Sequence, residues 1–146
     1  MKTIIKNVSL LLIILTLFGC VNKKAIKVDE FDEFFTNEGF EVTNAYDPLV
    51  KKDNIKGTYI AKNDRIQIEL YVLNTIENAK KFYLEDVKYF KKENVSNDKD
   101  HNYESFSLEE DGKYIYISRI DKTVIFSIND IKYKDEINDI LEKINY

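Results

Sequence analysis

The chain is predicted to adopt an α+β fold, in which one antiparallel sheet of about six strands carries amphipathic helices on one face. Three observations predict this class. Apolar and polar residues alternate from Ile66 to Val72, which is the period of a strand with one buried face. Apolar residues recur at helical spacing within residues 75–93, and Phe82 belongs to this apolar stripe. Asp111 and Gly112, which lie between two apolar runs, give a strong signal for a hairpin turn.

The first half of the chain predicts one helix and three strands. In residues 28–39, Phe31 and Phe35 share one helical face, and Gly39 can end the helix. A loop is expected around Pro48, the only proline. The strands are expected at residues 40–46, 56–62 and 66–72.

The second half predicts the same order. Thr75 can cap a helix that runs to about residue 93, and a polar loop follows at residues 94–102. Asp130 can cap a last helix, whose apolar stripe includes Ile137 and Leu141. Between loop and helix, strands are expected at residues 103–109, 113–120 and 123–129.

This regular order suggests a tandem α-β-β-β repeat. A shift of 55 positions aligns residues 57–87 with residues 112–142 without a gap, and five positions are identical. The predicted strand-to-helix junctions coincide in this alignment. The repeats would span about residues 28–74 and 75–129, and residues 130–146 would form a closing helix. The alternative is coincidence in a chain rich in Ile and Asn.

The N-terminal residues have the pattern of a secretory signal peptide. Lys2 and Lys6 precede an apolar stretch of about 11 residues, which is shorter than the roughly 20 that a membrane-spanning helix needs. The stretch ends in Leu17-Phe18-Gly19-Cys20, which resembles the lipobox of bacterial lipoproteins, although Phe18 is bulkier than usual there. The resemblance implies cleavage before Cys20, so that residues 1–19 are the signal peptide, and a lipid on the cysteine. Residues 20–27 would be a short membrane tether, and residues 28–146 a single domain.

Composition excludes several classes of function. Cys20 is the only cysteine, so no disulfide can form within the chain. The net charge is −4, and loss of Lys2 and Lys6 would make it −6. An acidic protein has no general attraction for nucleic acid. In general composition the chain resembles the small lipoproteins of AT-rich Gram-positive bacteria, which implies a location on the outer face of the membrane and implies no activity.

A cluster of tyrosines is the candidate partner-binding surface. If Ile60 and Ile115 face the helices, Tyr59, Tyr71, Tyr114 and Tyr116 are expected on the opposite, exposed face. Tyrosine suits such a surface because it combines a large apolar ring with a polar tip. The alternative is that these rings are ordinary cross-strand pairs. The last strand leaves a conflict: the repeat places Ile125 on the core face, whereas Val124, Phe126 and Ile128 on the other face are better suited to burial. Either the register of the second half differs by one residue, or both faces are partly covered.

One loop has the spacing of calcium ligands. Asp98, Asp100, Asn102 and Glu109 occupy positions 1, 3, 5 and 12 of an EF-hand loop. Position 6 is Tyr103, where the turn requires glycine, so we interpret the segment as a solvated acidic loop and expect no metal. His101, the only histidine, lies in the same loop.

The sequence therefore predicts a membrane-anchored extracytoplasmic protein, held through lipid on Cys20, that is not an enzyme and needs no cofactor. We expect an interaction module that binds an envelope protein. A small-ligand or ion-binding lipoprotein is the alternative. A small envelope hydrolase, which would require a polar cleft near His101, Glu109 or Arg119, is a third hypothesis. The oligomeric state is not predicted.

Overall fold

The computed structural model describes residues 23–46, 54–90, 96–99 and 102–146, with the backbone alone for 96–99. These residues form three α-helices, a 3₁₀ turn and one sheet. The helices are α1 (Val28–Asn37), α2 (Ile76–Phe90) and α3 (Lys134–Lys143), and the 3₁₀ turn is Ile131–Tyr133. The strands are β1 (Glu41–Asn44), β2 (Ile55–Lys62), β3 (Gln67–Leu73), β4 (Ser96–Lys99), β5 (Tyr103–Glu110), β6 (Lys113–Ile120) and β7 (Thr123–Asp130). The predicted α+β class is confirmed.

The sheet joins a meander of three strands, β1 to β3, to a meander of four, β4 to β7. Its strand order is β1-β2-β3-β7-β6-β5-β4, and each strand is antiparallel to its neighbours. The meanders meet where β3 pairs with β7, with Leu70 opposite Ile125. β4 is an edge strand in a segment predicted as a loop. Its sequence, Ser-Asn-Asp-Lys, has no apolar alternation, and only backbone pairing with β5 defines it as a strand.

Turns and caps follow the local sequence. Gly39 ends α1 with a φ of 82°, a left-handed conformation that glycine adopts without steric cost. Asp111 and Gly112 have φ values of 50° and 73°, as a two-residue hairpin turn of the primed type requires. The Thr75 hydroxyl accepts a hydrogen bond from the Asn78 backbone N–H at the start of α2.

Helices cover both faces of the sheet, so the prediction that they lie on one face was wrong. On the α1/α3 face, Phe31 and Ile137 pack with Leu70 in one core cluster. On the opposite face, which we call the α2 face, Tyr83 packs with Ile117 in a second cluster. β6 and β7 carry large apolar side chains on both faces, and a strand of this kind is buried on both sides. Because both faces are covered, β7 can bury Ile125 on one face and Val124 on the other, which resolves the conflict in its predicted pattern.

The helices break the symmetry of the proposed repeat. The order α-β-β-β occurs twice, with β4 added in the second copy. Equivalent strand residues also share a face, since Tyr59 and Tyr114 both join the α1/α3 cluster. The helix that starts each copy nevertheless packs on a different face. An origin by duplication therefore stays a prediction.

The segment before α1 is docked on the domain. The Lys23 carbonyl accepts a hydrogen bond of 2.6 Å from Asn102 Nδ2, and the Lys23 ammonium lies 3.9 Å from the centroid of the Tyr103 ring. Ala25 and Ile26 pack against the α1/α3 cluster. Lys23, Ala25 and Ile26, which belong to the predicted tether, thus pack on the domain. Cys20 and the predicted signal peptide lie outside the described residues.

Candidate binding cleft

The structure does not form the predicted tyrosine surface. Tyr114 and Tyr116 are 4% and 8% exposed beneath α1 and α3. Their hydroxyls are satisfied there: Tyr114 donates to Asn138 Oδ1 at 2.8 Å, and Tyr116 lies 3.3 Å from the Tyr103 hydroxyl. Buried rings with paired hydroxyls are core residues. The expectation that these two tyrosines are exposed was wrong.

The other two tyrosines of that group lie on different faces. Tyr59 is half-buried on the α1/α3 face, with its ring over Gly57, where a Cβ would meet the ring at 2.7 Å. Tyr71 lies on the α2 face. Tyr59 pairs with Leu70, and directly opposed residues in an antiparallel pair share a face, so the residue after Leu70 must face the other way.

The calcium-loop spacing does not bring Asn102 and Glu109 together. Asn102 and Glu109 lie at opposite ends of β5, and seven strand residues span about 23 Å. Asn102 donates its amide to Lys23 and Asp121, while Glu109 accepts from the Lys134 ammonium. The side chain of Asp98, and Asp100 altogether, lie outside the described residues. Within the described part of the chain, no three metal-ligating side chains form a cluster.

Arg119 and Glu109, two of the residues suggested for a hydrolase, are also apart. Arg119 is 1% exposed, and its Nε donates to Glu104 Oε2 at 2.9 Å between the sheet and α2. Glu109 is on the surface, where it pairs with Lys134. His101 lies outside the described residues. A buried, paired guanidinium has a structural role here and does not face an open cleft.

A cleft of about 470 Å³ opens between α2 and the β2–β3 side of the sheet. It forms because α2 packs mainly on β6, so that its flank overhangs β3 without closing against it. Such a volume falls within the range of small-molecule sites. The lining residues are Asn54, Ile55, Tyr71, Leu73, Asn78, Lys81, Phe82, Glu85, Asp86 and Phe126.

Aromatic rings form the floor of the cleft. The centroids of the Tyr71 and Phe82 rings are 4.8 Å apart, with an interplanar angle of 41°. Phe126 lies beside them on β7, opposite Glu69 of β3. All three rings are half-buried, so part of their apolar surface faces the cleft. The sequence predicts Phe82 in the apolar stripe of α2. It does not show that part of this stripe extends beyond the area that packs on the sheet, so that Phe82 lines the cleft.

Carboxylates surround these rings. Glu69 accepts hydrogen bonds from the Tyr71 hydroxyl and, at 2.7 Å, from Gln67 Nε2, which fixes its orientation. Burial, the hydrogen bond to Glu69 and the negative charges of Glu69 and Asp86 raise the pKa of Tyr71. On the helix wall, Lys81 lies 3.9 Å from Glu85 in an exposed pair. The site is therefore an aromatic floor with carboxylates and one described lysine around it.

The described lining of the cleft includes no histidine, cysteine or serine from which a nucleophile–base pair could be built. None of the described helices is long and apolar enough to cross a membrane. No family model matches the chain, and neither a curated protein nor a solved structure shows significant similarity to it.

Proposed function

We propose that this chain is a lipid-anchored extracytoplasmic protein that binds a ligand, without transforming it, in the cleft between α2 and β3. The cleft carries the proposal, because it exposes three aromatic rings beside carboxylates in a volume that suits a small molecule. It replaces the predicted tyrosine surface, because Tyr114 and Tyr116 lie in the core.

The anchor rests on the lipobox-like residues that end at Cys20. Docking of residues 23–27 supports a close membrane placement. Only Val21 and Asn22 separate Cys20 from Lys23, and three chain steps span about 10 Å at most. A lipid on Cys20 would hold the domain against the outer face of the membrane, and the cleft would sample ligands near that surface.

A photo-cross-linker placed in the cleft tests the binding role in intact cells. We would replace Asn78, which lines the cleft, with benzoylphenylalanine, and place the same group at Asp139 of α3 as the matched control. Asp139 is exposed on the helix that covers the opposite face of the sheet. Intact-protein mass spectrometry after irradiation would report any adduct.

A small-mass adduct at position 78 and not at position 139 is the expected result. A protein-sized adduct confined to position 78 would instead assign the cleft to an envelope partner, as the sequence-based interaction hypothesis expects. Equal labelling of both positions, or none, would refute ligand binding in this cleft.

A further inference from the structure

We propose that one end of the sheet rests on the headgroups of an anionic lipid membrane, so that the cleft lies beside the lipid surface. We call it the near end; there Tyr103 of β5, Ile120 of β6 and Thr123 of β7 lie side by side. The inference rests on the lipid anchor of the proposed function and adds the surface of the domain that meets the membrane.

The N-terminal segment is docked at the near end. The Lys23 carbonyl accepts a hydrogen bond from Asn102, the residue before β5, and the Asn102 carbonyl accepts one of 3.1 Å from the Asp121 backbone N–H. The Lys23 ammonium lies over the Tyr103 ring. Three chain steps separate Lys23 from Cys20, so a lipid on Cys20 would hold this end within about 10 Å of the acylated residue.

The length of the strands separates the near end from the opposite end, which we call the far end and where β5 turns into β6 at Asp111 and Gly112. β5, β6 and β7 each have eight residues, and a strand of that length spans about 26 Å. The anchor therefore brings the near end to the lipid in every orientation. The far end reaches the lipid only if the domain lies on its side.

Lysines are in excess at the near end. Lys56 and Lys122 are exposed there, and Lys23 is docked beside them. The carboxylates of Asp121 and of Glu77, which interacts with Lys122, offset part of this charge. An anionic lipid surface attracts such an end, since each lysine close to the headgroups adds to the attraction.

Carboxylates are in excess at the far end. The turn between β5 and β6 carries three of them in succession, those of Glu109, Glu110 and Asp111. Glu109 pairs with Lys134, and Lys113 follows the turn, which leaves the group negative. An anionic surface repels this end, so charge favours the orientation in which the near end faces the membrane.

The near end also contains part of the cleft lining. The Leu73 N–H donates to the Lys122 carbonyl at 2.9 Å, and the Asn74 N–H donates to the Asn54 carbonyl at 2.9 Å. Both Leu73 and Asn54 line the cleft. In this orientation the cleft lies next to the headgroups, within reach of molecules held at the membrane surface.

A fluorophore on an introduced cysteine tests the orientation. Cys20 is the only cysteine and would be blocked by its lipid, so the introduced thiol is the single one free to be labelled. We would label Lys122→Cys in the full chain, purified from membranes, and reconstitute it into vesicles of phosphatidylcholine and phosphatidylglycerol with nitroxide on some headgroups. Lys62→Cys is the matched control, since it is the same exposed substitution at the far end. Lys88→Cys and Asp139→Cys report on domains that lie on the α2 face or on α3.

The nitroxide lipid is expected to quench most of the fluorescence at position 122 and little at positions 62, 88 and 139. Equal quenching at all four positions, or the strongest quenching at any position other than 122, would overturn the proposal.

Charge reversal tests the attraction to anionic lipid. Lys56→Glu should reduce the quenching of the label at position 122, because it removes a cation from the near end and adds a carboxylate. Lys62→Glu makes the same change at the far end and should not reduce it. Equal quenching in the two variants would refute the contribution of charge to the orientation.

The orientation and the proposed function fail separately. If the purified chain does not float with the vesicles, the lipid anchor fails and the orientation fails with it. If the chain floats but position 122 is not selectively quenched, the orientation is wrong and the anchor stands. The cross-linker at position 78 tests ligand binding independently of both.

Discussion

Replacing Glu104 with glutamine removes the charge that faces Arg119 beneath α2. The Arg119 side chain is 1% exposed and that of Glu104 is 14% exposed, with 2.9 Å between Nε and Oε2. The second described contact of the guanidinium is a longer hydrogen bond of 3.3 Å from Nη1 to the Asp121 carbonyl. The variant therefore leaves a buried cation without its carboxylate, while the shape of the side chain is kept.

The expected loss of stability is large. Removal of one partner from a buried ion pair costs about 3–5 kcal/mol. We expect about 3 kcal/mol for Glu104→Gln, because glutamine retains an oxygen acceptor and Glu104 is not fully buried. A domain of this size has a free energy of unfolding of about 5–15 kcal/mol. With an m-value of about 2 kcal/mol/M, the urea midpoint should fall by about 1.5 M.

Urea unfolding followed by circular dichroism measures the change in the urea midpoint. The matched control is Glu109→Gln. Glu109 pairs with Lys134 on the surface, where the side chains are 46% and 40% exposed, so its loss should cost no more than about 1 kcal/mol. The double variant Glu104→Leu/Arg119→Met removes both charges and should be more stable than Glu104→Gln. Equal midpoints for Glu104→Gln and Glu109→Gln would refute the reasoning.

Three further predictions concern the core, the docked segment and the anchor. Burial raises the pKa of Tyr146 to about 12, so the neutral form stabilises the fold below pH 10 and this contribution is lost as the pH rises from 10 towards 12. Tyr146→Phe should flatten that fall in the urea midpoint, whereas Tyr89→Phe, at an exposed ring, should not. Asn102→Ala removes the hydrogen bond to the Lys23 carbonyl and should speed trypsin cleavage of the native protein after Lys23 about fivefold. An unchanged rate would mean that residues 23–27 are held by their apolar contacts alone. Cys20→Ser should leave the protein unprocessed or release it from membranes, and normal membrane retention in fractionated cells would contradict lipidation.

Local features of the fold were predictable because local physics produces them. The alternation in β3, the hairpin glycine at position 112 and the cap at Thr75 each depend on neighbouring residues, and the structure places all three as expected. β4 was not predictable, since its strand character comes from pairing with β5 and not from its own sequence.

The candidate site was predictable only in part. Tyr71 was among the expected site residues. It was predicted on the same face of the sheet as Tyr114 and Tyr116, whereas it lies on the α2 face. Phe82 and Phe126 were assigned only to the apolar patterns of a helix and a strand. A sequence shows that an element has an apolar face, but it does not show how much of that face its neighbours cover. Tyr114 and Tyr116 were expected on the surface, although the continuous apolar run of β6 was already a sign of a strand buried on both faces.

The sequence by itself determined the α+β class, the order of helices and strands apart from β4, the turns and the resemblance to a lipid-anchored protein at Cys20. Only the tertiary structure decided that α2 packs on the opposite face from α1 and α3. That choice buries Tyr114 and Tyr116 and leaves Tyr71 at the cleft. The physical reason is that alternation assigns residues to two faces but does not say which helix covers each face. The answer depends on how separate apolar surfaces fit together in space.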